Sequence, residues 1–278
     1  MSMNNFAISK EAYEGLNNTQ HVLGHGLEMN EMEGIWVAWE TDPEAVSAAL
    51  PPALQFAAPI VMAYVVKCDT EFAGAYNEAC MIVPCAFEGR PGGYQMSLLL
   101  EGKGAPMAFC MGREMAGMPK KFCDAVNVSK DGDVVQANIV KDGITVLDAS
   151  VKLGQYNTPA GEQMFGGNEP GNVSRADIFL LKYNTEQADD GHMYFDNGRV
   201  LVTSGATAYE HWTPGTAELA LKPCENAPWA SFPVKQVLGA GYGKFAMKEF
   251  TTEKIGEFDA EANMPWLLRA RYDDGLLK

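Results

Sequence analysis

The stretch VNVSKDGDVVQANIVKDGITVLDASVKLG, residues 126–154, contains two Asp-Gly dipeptides between runs in which apolar and polar residues alternate. Asp-Gly within such alternation is the strongest short-range signal for a β-hairpin, because glycine takes the positive φ that a two-residue turn requires. Two hairpins in succession place three strands side by side. The stretch therefore predicts a sheet that is largely antiparallel.

Apolar runs on both sides of this stretch predict further strands. The segment GIWVAWETD (34–42) alternates like a strand and leads into TDPEAVSAALPPAL (41–54). There Thr41 or Asp42 can cap a helix that has Pro43 in its first turn, and the later Pro-Pro pair ends it. Other β-branched or apolar runs are separated by Gly, Pro and charged residues, which is typical of consecutive strands. These runs are 58–69, 78–89, 93–102, 106–114, 178–184, 198–212 and 215–223.

The remaining segments have weaker patterns. Residues 154–174 are rich in Gly, Pro and Asn, which predicts a long loop. The segment KEFTTEKIGEF (248–258) favours a closing helix, and residues 1–30 show no period and predict an N-terminal arm. We therefore expect one mainly β (α+β) domain over residues 1–278, with a few peripheral helices.

Composition limits the classes of partner. The chain has 278 residues, 47% of them hydrophobic, and a formal net charge of -15. This charge argues against binding to nucleic acid or to an anionic membrane surface, since both require a basic face. No apolar run reaches the roughly 18–20 residues of a membrane-spanning helix, and the N-terminus lacks the pattern of a signal peptide. We expect a cytoplasmic protein with a small-molecule partner.

Metal dependence is not indicated. The four histidines are scattered, and the pair in HVLGH (21–25) has helical spacing but lacks the glutamate of an HExxH motif. The six cysteines show no CxxC spacing, so free thiols are the expected state. The sequence therefore predicts no metal site.

Two adjacent lysines in an apolar run indicate the chemistry. In GREMAGMPKK (112–121), Pro119 fixes the backbone before Lys120 and Lys121. In an extended segment their side chains point to opposite faces, so one can enter a pocket while the other acts through its charge. Burial and a neighbouring cation both disfavour the ammonium form of the lysine that enters the pocket. A free amine attacks a ketone to give an imine, which is an electron sink for the adjacent carbon.

This segment resembles the signature of the acetoacetate decarboxylase family, Gly-Arg-Glu followed by four variable residues and Pro-Lys-Lys. Acetoacetate decarboxylase is itself the established example of a lysine activated by a neighbouring cationic group. Three further regions resemble the family in the same order along the chain. They are ETDPEAVSAALPPAL (40–54), YNEACMIVPCAFEGRPGGY (76–94), and YEHWTPGTAELAL (209–221) with FPVKQV (232–237).

The resemblance implies roles for particular residues. Lys120 matches the Schiff-base lysine and Lys121 the neighbour that lowers its pKa, while Glu78 matches the glutamate that works with the lysine in proton transfer. Arg113 and Glu114 match the Gly-Arg-Glu motif, and we interpret them as a structural ion pair. The family fold is a closed, cone-like antiparallel β-barrel with the lysine facing the interior, assembled as a homo-oligomer. No organic cofactor is implied, because the imine supplies the electron sink.

The sequence departs from the family pattern at two polar positions. Aligned without gaps, an arginine of the family falls at Met32 and a second glutamate at Ala63, which suggests a larger or more apolar substrate. Tyr242, in GAGYGKF, lies near a family histidine, and aldolase-dehydratase relatives use a C-terminal tyrosine for proton transfer. Those relatives also have a glutamine shortly before the lysine, where this chain has Ala116 and Met118.

Three functions are compatible with these residues. The first is a Schiff-base carbon–carbon lyase in which Lys120 binds a 3-oxo acid, carbon dioxide leaves, and Glu78 assists protonation of the enamine. The second is a pyruvate-type aldolase or aldolase-dehydratase that uses the same lysine. The third is a non-catalytic module that binds a hydrophobic ketone.

Overall fold

The computed structural model describes residues 9–11, 14 and 28–274. Strands make up 58% of the described residues. The strands are β1 Met29–Glu40, β2 Gln55–Phe56, β3 Ile60–Thr70, β4 Gly74–Phe87, β5 Arg90–Glu101, β6 Lys120–Phe122, β7 Ala125–Asp131, β8 Val134–Lys141, β9 Ile144–Leu153, β10 Val173–Gln187, β11 Met193–Leu221 and β12 Gln236–Glu257. The α-helices of the described residues are α1 Pro43–Ala49, α2 Ala105–Phe109, α3 Pro159–Phe165 and α4 Ala260–Arg271; a π-helical segment, Cys110–Met115, continues α2, and Trp229–Ser231 forms a 3-10 turn.

The two predicted hairpins are confirmed. β7 pairs with β8 and β8 with β9, both antiparallel, and the two Asp-Gly dipeptides lie at the turns. Asp142 and Gly143 have φ of 53° and 72°, as a two-residue turn with both central residues left-handed requires. Local turn chemistry therefore determines this part of the sheet.

The strands form one sheet with the order β10-β5-β4-β3-β1-β12-β11-β9-β8-β7, and β10 also pairs with β11. The pairing is antiparallel except for β10 with β5 and β6 with β5. β11 is long enough to pair with β10 through its first half and with β9 through its last residues. The prediction of a mainly β, largely antiparallel fold is confirmed.

Two hydrophobic clusters occupy the two faces of the sheet. On β3, Tyr64, Val66 and Cys68 belong to one cluster, whereas Ala63 and Val65 belong to the other. This separation follows from the two-residue period of a strand. The cluster that contains Tyr64 surrounds the inner cavity described below, and the other packs against β7–β9 and α4.

The predicted strand at 106–114 is wrong, since this segment forms α2 and the π-helical segment. A short apolar run does not distinguish a strand from a buried helix by periodicity alone. Gly104 at the N-cap and Pro106 in the first turn favour helix initiation here.

The predicted helix at 248–258 is also wrong, because residues 248–257 are the end of β12 and pair with β11. Pairing with a neighbouring strand outweighs the helical preference of its Lys and Glu residues. The C-terminal helix is instead α4, which the sequence analysis did not predict. Its start is capped by Asp259, whose side chain accepts a hydrogen bond from Ala262 N, and Pro265 inside the helix obscures its pattern.

Other expectations have mixed outcomes. The helix after β1 is present and begins at Pro43, with Asp42 at the N-cap, although no side-chain hydrogen bond caps it. The long segment 154–174 contains α3, which Thr158 caps. The predicted N-terminal arm and the HVLGH pair lie almost wholly outside the described residues. None of the helices in the described ranges has the length and apolar character that a membrane crossing needs.

Candidate active site

Lys120 is held on β6, a three-residue strand that runs parallel to β5. Pro119 O accepts a hydrogen bond from Leu98 N at 3.1 Å, which places Lys120 opposite Leu98. Lys120 and Lys121 are each 6% exposed. Because β6 is extended, their side chains lie on opposite faces of the sheet, as predicted.

The side chain of Lys120 meets a buried carboxylate. Its Nζ lies 3.2 Å from Glu78 Oε2, and Tyr64 donates its hydroxyl hydrogen to Glu78 Oε1 at 2.5 Å. Glu78 is 2% exposed and Tyr64 5%. A buried charge of this kind is stabilised by a partner and by hydrogen bonds to its remaining lone pairs, and Glu78 has both. The structure thus brings together the predicted Lys120 and Glu78.

Tyr64 is the site residue that the sequence analysis missed. It lies on β3 opposite Cys80, two residues along β4 from Glu78, so the two side chains share a face. Finding it from sequence required the register between β3 and β4, which the alternating pattern alone does not give. Burial, together with nearby Cys80 and Glu78, holds the pKa of the Tyr64 phenol well above its usual range.

Neutral side chains complete the surroundings of Glu78. Burial is the largest cause that raises the pKa of Cys68, Tyr76 and Cys80, and the Glu78 charge raises each further. These groups therefore stay protonated at ordinary pH. Lys120 and Glu78 are left as the pair that can exchange a proton with a substrate.

The π-helical segment fixes the position of the amine. A Cβ at Gly112 would lie 2.4 Å from Lys120 Cε and 2.9 Å from its Nζ, so a larger residue there would require the end of the Lys120 side chain to move. Short π-helical segments are frequent at functional sites. Gly112 of the Gly-Arg-Glu motif thus packs directly on the candidate Schiff-base lysine.

Lys121 faces the C-terminal segment on the other side of the sheet. Its Nζ lies 3.2 Å from Asp273 Oδ1 and donates to Tyr272 O at 2.9 Å and Asn226 O at 3.1 Å. Burial lowers its pKa, which Asp273 partly offsets. We expected Lys121 to act on Lys120 through its positive charge, whereas the structure pairs this charge with the carboxylate of Asp273.

Arg113 and Glu114 form a peripheral contact. Arg113 Nε lies 3.5 Å from Glu114 Oε1, but the Glu114 side chain is 65% exposed. Arg113 also donates to Arg271 O at 2.9 Å and its guanidinium stacks on Tyr272 and on Phe109. Arg113 therefore connects the segment that contains the lysine to the end of α4.

The structure does not bring Tyr242 to Lys120. Tyr242 belongs to the hydrophobic cluster on the opposite face of the sheet and donates its hydroxyl hydrogen to Glu33. Burial, with this hydrogen bond, raises its pKa well above the usual range. Tyr242 lies on β12 opposite Ile35, so the alternation of β12 directs it away from the inner cavity.

The two positions where the family has polar residues also differ in orientation. Met32 lies fully buried in the cluster around the cavity, without a polar substitute. Ala63 lies in the other cluster, whereas its neighbours Met62 and Tyr64 line the cavity. The ungapped position of the second glutamate therefore does not face Lys120, and Met62 and Tyr64 occupy the nearest inward positions.

Lys120 and Glu78 line a cavity of about 580 Å³. Its walls are mostly apolar, and methionines contribute from α3, β3 and the segment around Lys120. Among the described residues that line it, Lys120 is the one cation, and Glu78 and Asp177 are the carboxylates. A cavity of this size and polarity is typical of a small-molecule site.

Residues 18–257 match the sequence profile of the acetoacetate decarboxylase (ADC) family. The chain belongs to the acetoacetate decarboxylase family. This agrees with the resemblance found in the four motifs.

Relatives in the family carry different names. The CLA biosynthesis isomerase of Lactiplantibacillus plantarum is 32% identical over 249 residues, which cover 88% of this chain and 89% of the relative. The acetoacetate decarboxylase of Burkholderia vietnamiensis (strain G4 / LMG 22486) is 34% identical over 215 residues, covering 76% of this chain and 80% of the relative.

Solved structures show the acetoacetate decarboxylase fold. One, described as structural studies of acetoacetate decarboxylase, has a TM-score of 0.70 at 19% identity and covers 90% of this chain and 99% of its own. The enduracididine biosynthesis enzyme MppR, complexed with the condensation product of pyruvate and imidazole 4-carboxaldehyde, has a TM-score of 0.60 at 15% identity. That comparison covers 87% of this chain and 93% of MppR.

Proposed function

We propose that this acetoacetate decarboxylase family member forms an imine between Lys120 and the carbonyl carbon of a ketone. Glu78 then moves a proton from the α-carbon of the bound substrate to its γ-carbon. The reaction that the site supports best is isomerisation of an unsaturated ketone. The observation that carries the proposal is the 3.2 Å contact between Lys120 Nζ and Glu78 Oε2 in an apolar cavity.

Each step has a group within reach. Glu78 Oε2 accepts a proton from the amine, which attacks the carbonyl carbon. Glu78 then returns this proton to the hydroxyl of the carbinolamine, which leaves as water and gives the iminium. The same oxygen removes a proton from the α-carbon, and the electron pair moves into the iminium to give a dienamine. Return of that proton at the γ-carbon moves the double bond. Water then hydrolyses the iminium and releases the isomerised ketone, so the overall reaction neither adds nor removes atoms.

Tyr64 determines which oxygen of Glu78 reacts. Its hydroxyl donates to Oε1, so Oε2 remains the oxygen that faces Lys120. A hydrogen bond to one oxygen also orients the carboxylate while the other exchanges its proton. Tyr64 therefore acts as a positioning residue for Glu78.

Two observations favour isomerisation over the decarboxylation expected from the motif. Lys120 is the one cation among the described residues that line the cavity, so a substrate carboxylate beside it would face Glu78 with no second cation to bind it. A relative that aligns over 88% of this chain is named an isomerase. Isomerisation moves a proton within the ketone, so it requires no site that binds a substrate carboxylate.

Decarboxylation of a 3-oxo acid is the second candidate. The Pro-Lys-Lys motif and the family match support it, and it uses the same Lys120 imine. The aldolase alternative also begins with this imine, but the carboxylate of a 2-oxo acid such as pyruvate has no cationic partner besides Lys120 among the described residues that line the cavity. The non-catalytic alternative predicts that substitution of Lys120 changes no reaction.

We also propose an overall architecture. The strands pair in a ring from β10 through β5, β4, β3, β1, β12 and β11 back to β10, and this ring forms a closed, cone-like barrel around the cavity. Residues 1–278 form one domain in this proposal. The protein works in the cytoplasm as a homo-oligomer and needs no organic cofactor. Lys121 supports the reaction by anchoring β6 to the C-terminal segment, since Asp273 balances its charge.

The test is to incubate the protein in D₂O with a β,γ-unsaturated ketone and, separately, with a 3-oxo acid. We expect a rise in conjugated-enone absorbance, with the protium removed from the α-carbon largely retained at the γ-carbon, and little carbon dioxide. Lys120→Ala should abolish this, whereas Lys130→Ala, on the exposed part of β7, should not. Release of carbon dioxide without isomerisation would establish the second candidate, and activity that persists in Lys120→Ala would exclude both.

A further inference from the structure

The cavity extends far beyond the Lys120–Glu78 pair. On β4 its lining residues run from Tyr76 through Glu78 to Pro84, and on β5 from Leu98 to Gly93 and Pro91. The register aligns the two strands, with Glu78 opposite Leu100 and Pro84 opposite Gly93. A strand rises about 3.3 Å per residue, so six residues correspond to a channel roughly 20 Å long.

One end of the channel is deep and the other opens to solvent. Lys120 and Glu78 are buried at the inner end. At the other end Pro91, Ala176 and Thr252 line the cavity and are exposed. A substrate that enters between them passes along the channel before it reaches the amine.

Small side chains keep the outer half of the channel open. Gly93, Ala176, Gly205 and Thr207 line it, in contrast to the aromatic residues around Tyr64. At Gly205 a Cβ would lie 2.8 Å from the ring of Phe250, which lines the channel itself. The width of this half therefore depends on the absence of larger side chains.

Among the described lining residues, the charged groups lie at the two ends, and uncharged polar side chains such as Gln95 and Thr207 line the wall between them. Glu78 and Lys120 occupy the inner end, and Asp177, held by Arg90 and Ser204, lies near the opening. Between them Ile82, Ile178 and Met247 present apolar surface. Such surface is stabilised by contact with alkyl groups rather than water.

We propose that this channel binds an unbranched aliphatic chain, so that the substrate is a long-chain ketone with its carbonyl at Lys120 and its chain directed towards the opening. This inference rests on the proposed imine chemistry and adds the class of substrate. A short ketone would leave most of the channel filled with water against apolar walls, whereas an extended chain displaces that water.

The first experiment measures the affinity of a series of saturated, unbranched methyl ketones by calorimetry. Each added methylene should tighten binding roughly fourfold, as expected for a fully buried methylene, until the chain reaches the opening. Beyond that length the affinity should level off. Affinity independent of chain length from the shortest member onward would overturn the inference.

The second experiment narrows the channel. Thr207→Phe places a ring inside it, whereas the neighbouring Ala208 lines a separate, shallow outer pocket, so Ala208→Phe is the matched control. Thr207→Phe should weaken binding of long ketones roughly tenfold or more and leave acetone binding unchanged. The inference would be overturned if the two variants weakened the binding of long ketones equally, or if Thr207→Phe weakened the binding of acetone as much as that of long ketones.

A separate readout distinguishes failure of this inference from failure of the proposed function. Borohydride reduction with acetone tests the imine without use of the outer channel. If acetone is trapped on Lys120 while chain length has no effect, the imine chemistry stands and the long-chain assignment fails. If acetone is not trapped, the proposed function itself fails.

Discussion

At the scale of single residues, the site depends on one carboxylate with two partners. Lys120 was a candidate because an amine beside a second lysine has a chemical reason to be reactive, and Glu78 was a candidate through the family resemblance; the structure brings the two together. Tyr64 was not a candidate, since its contact with Glu78 depends on the register of β3 against β4. Tyr242 was a candidate by position in the sequence, and the alternation of β12 places it on the other face.

Tyr64 and Tyr242 allow a matched comparison, because each donates a hydrogen bond to a glutamate. Tyr64→Phe leaves one buried oxygen of Glu78 without a donor, which costs about 1–3 kcal/mol. We expect kcat for isomerisation to fall between roughly fivefold and a hundredfold. Tyr242→Phe should change kcat by less than about twofold, since Glu33 is exposed to water. Steady-state kinetics of the two variants checks this, and a larger loss in Tyr242→Phe would contradict the site.

Gly112 provides a steric test of the position of the amine. Gly112→Ala places a Cβ against Lys120 Cε and should displace the amine from Glu78. A displacement of about 1 Å can cost a hundredfold in rate, so kcat should fall by about that factor with little change in thermal stability. Gly167→Ala is the control, since nothing lies within 4 Å of its Cβ position. Full activity of Gly112→Ala would show that Lys120 is not constrained as described.

At the scale of elements, the C-terminal end of α4 holds the segment that contains Lys120. Arg271 donates to Gly117 O at 2.7 Å and to Leu181 O at 3.2 Å, and Lys121 donates to Tyr272 O. This helix lies outside residues 18–257, which match the family profile. The motif therefore identified the two lysines, whereas no sequence pattern predicted the helix that supports their segment.

Arg271 tests this support. Arg271→Met removes the donor from two buried carbonyls, and we expect the free energy of unfolding to fall by about 2–4 kcal/mol. The kcat for isomerisation should fall as well, because Gly117, in the segment that contains Lys120, loses its hydrogen bond to Arg271. Arg269→Met, on the same helix with a half-exposed side chain, should cost less than about 0.5 kcal/mol. Urea unfolding and kinetics measure both effects, and equal losses in the two variants would contradict a specific role for Arg271.

At the scale of the whole molecule, the sequence predicted the class of fold better than the individual connections. The Asp-Gly turns and alternating runs determined an antiparallel sheet, because turn chemistry and side-chain period are local properties. The assignments at 106–114 and 248–258 failed, since helix and strand there depend on which neighbour the segment meets. The length of the cavity also depends on pairing between strands far apart in sequence, so no local pattern predicted it.

The buried thiols predict how stability depends on pH. Burial raises the pKa of Cys85 to about 12 from 9.0, so in the folded protein this thiol stays protonated where the unfolded chain ionises. The folded state then binds more protons, and stability is lost as the pH rises from 9.0 towards about 12. The slope due to Cys85 approaches about 1.4 kcal/mol per pH unit. Urea unfolding across this range should show a shallower decline for Cys85→Ala, and an unchanged slope would contradict the assigned burial.

The most direct test of the central claim is to add borohydride together with a ketone substrate and to map the modified peptide by mass spectrometry. The account predicts irreversible loss of activity and a reduced adduct on Lys120, with none on Lys121. Retained activity with an unmodified Lys120, under conditions in which the ketone is turned over, would contradict it.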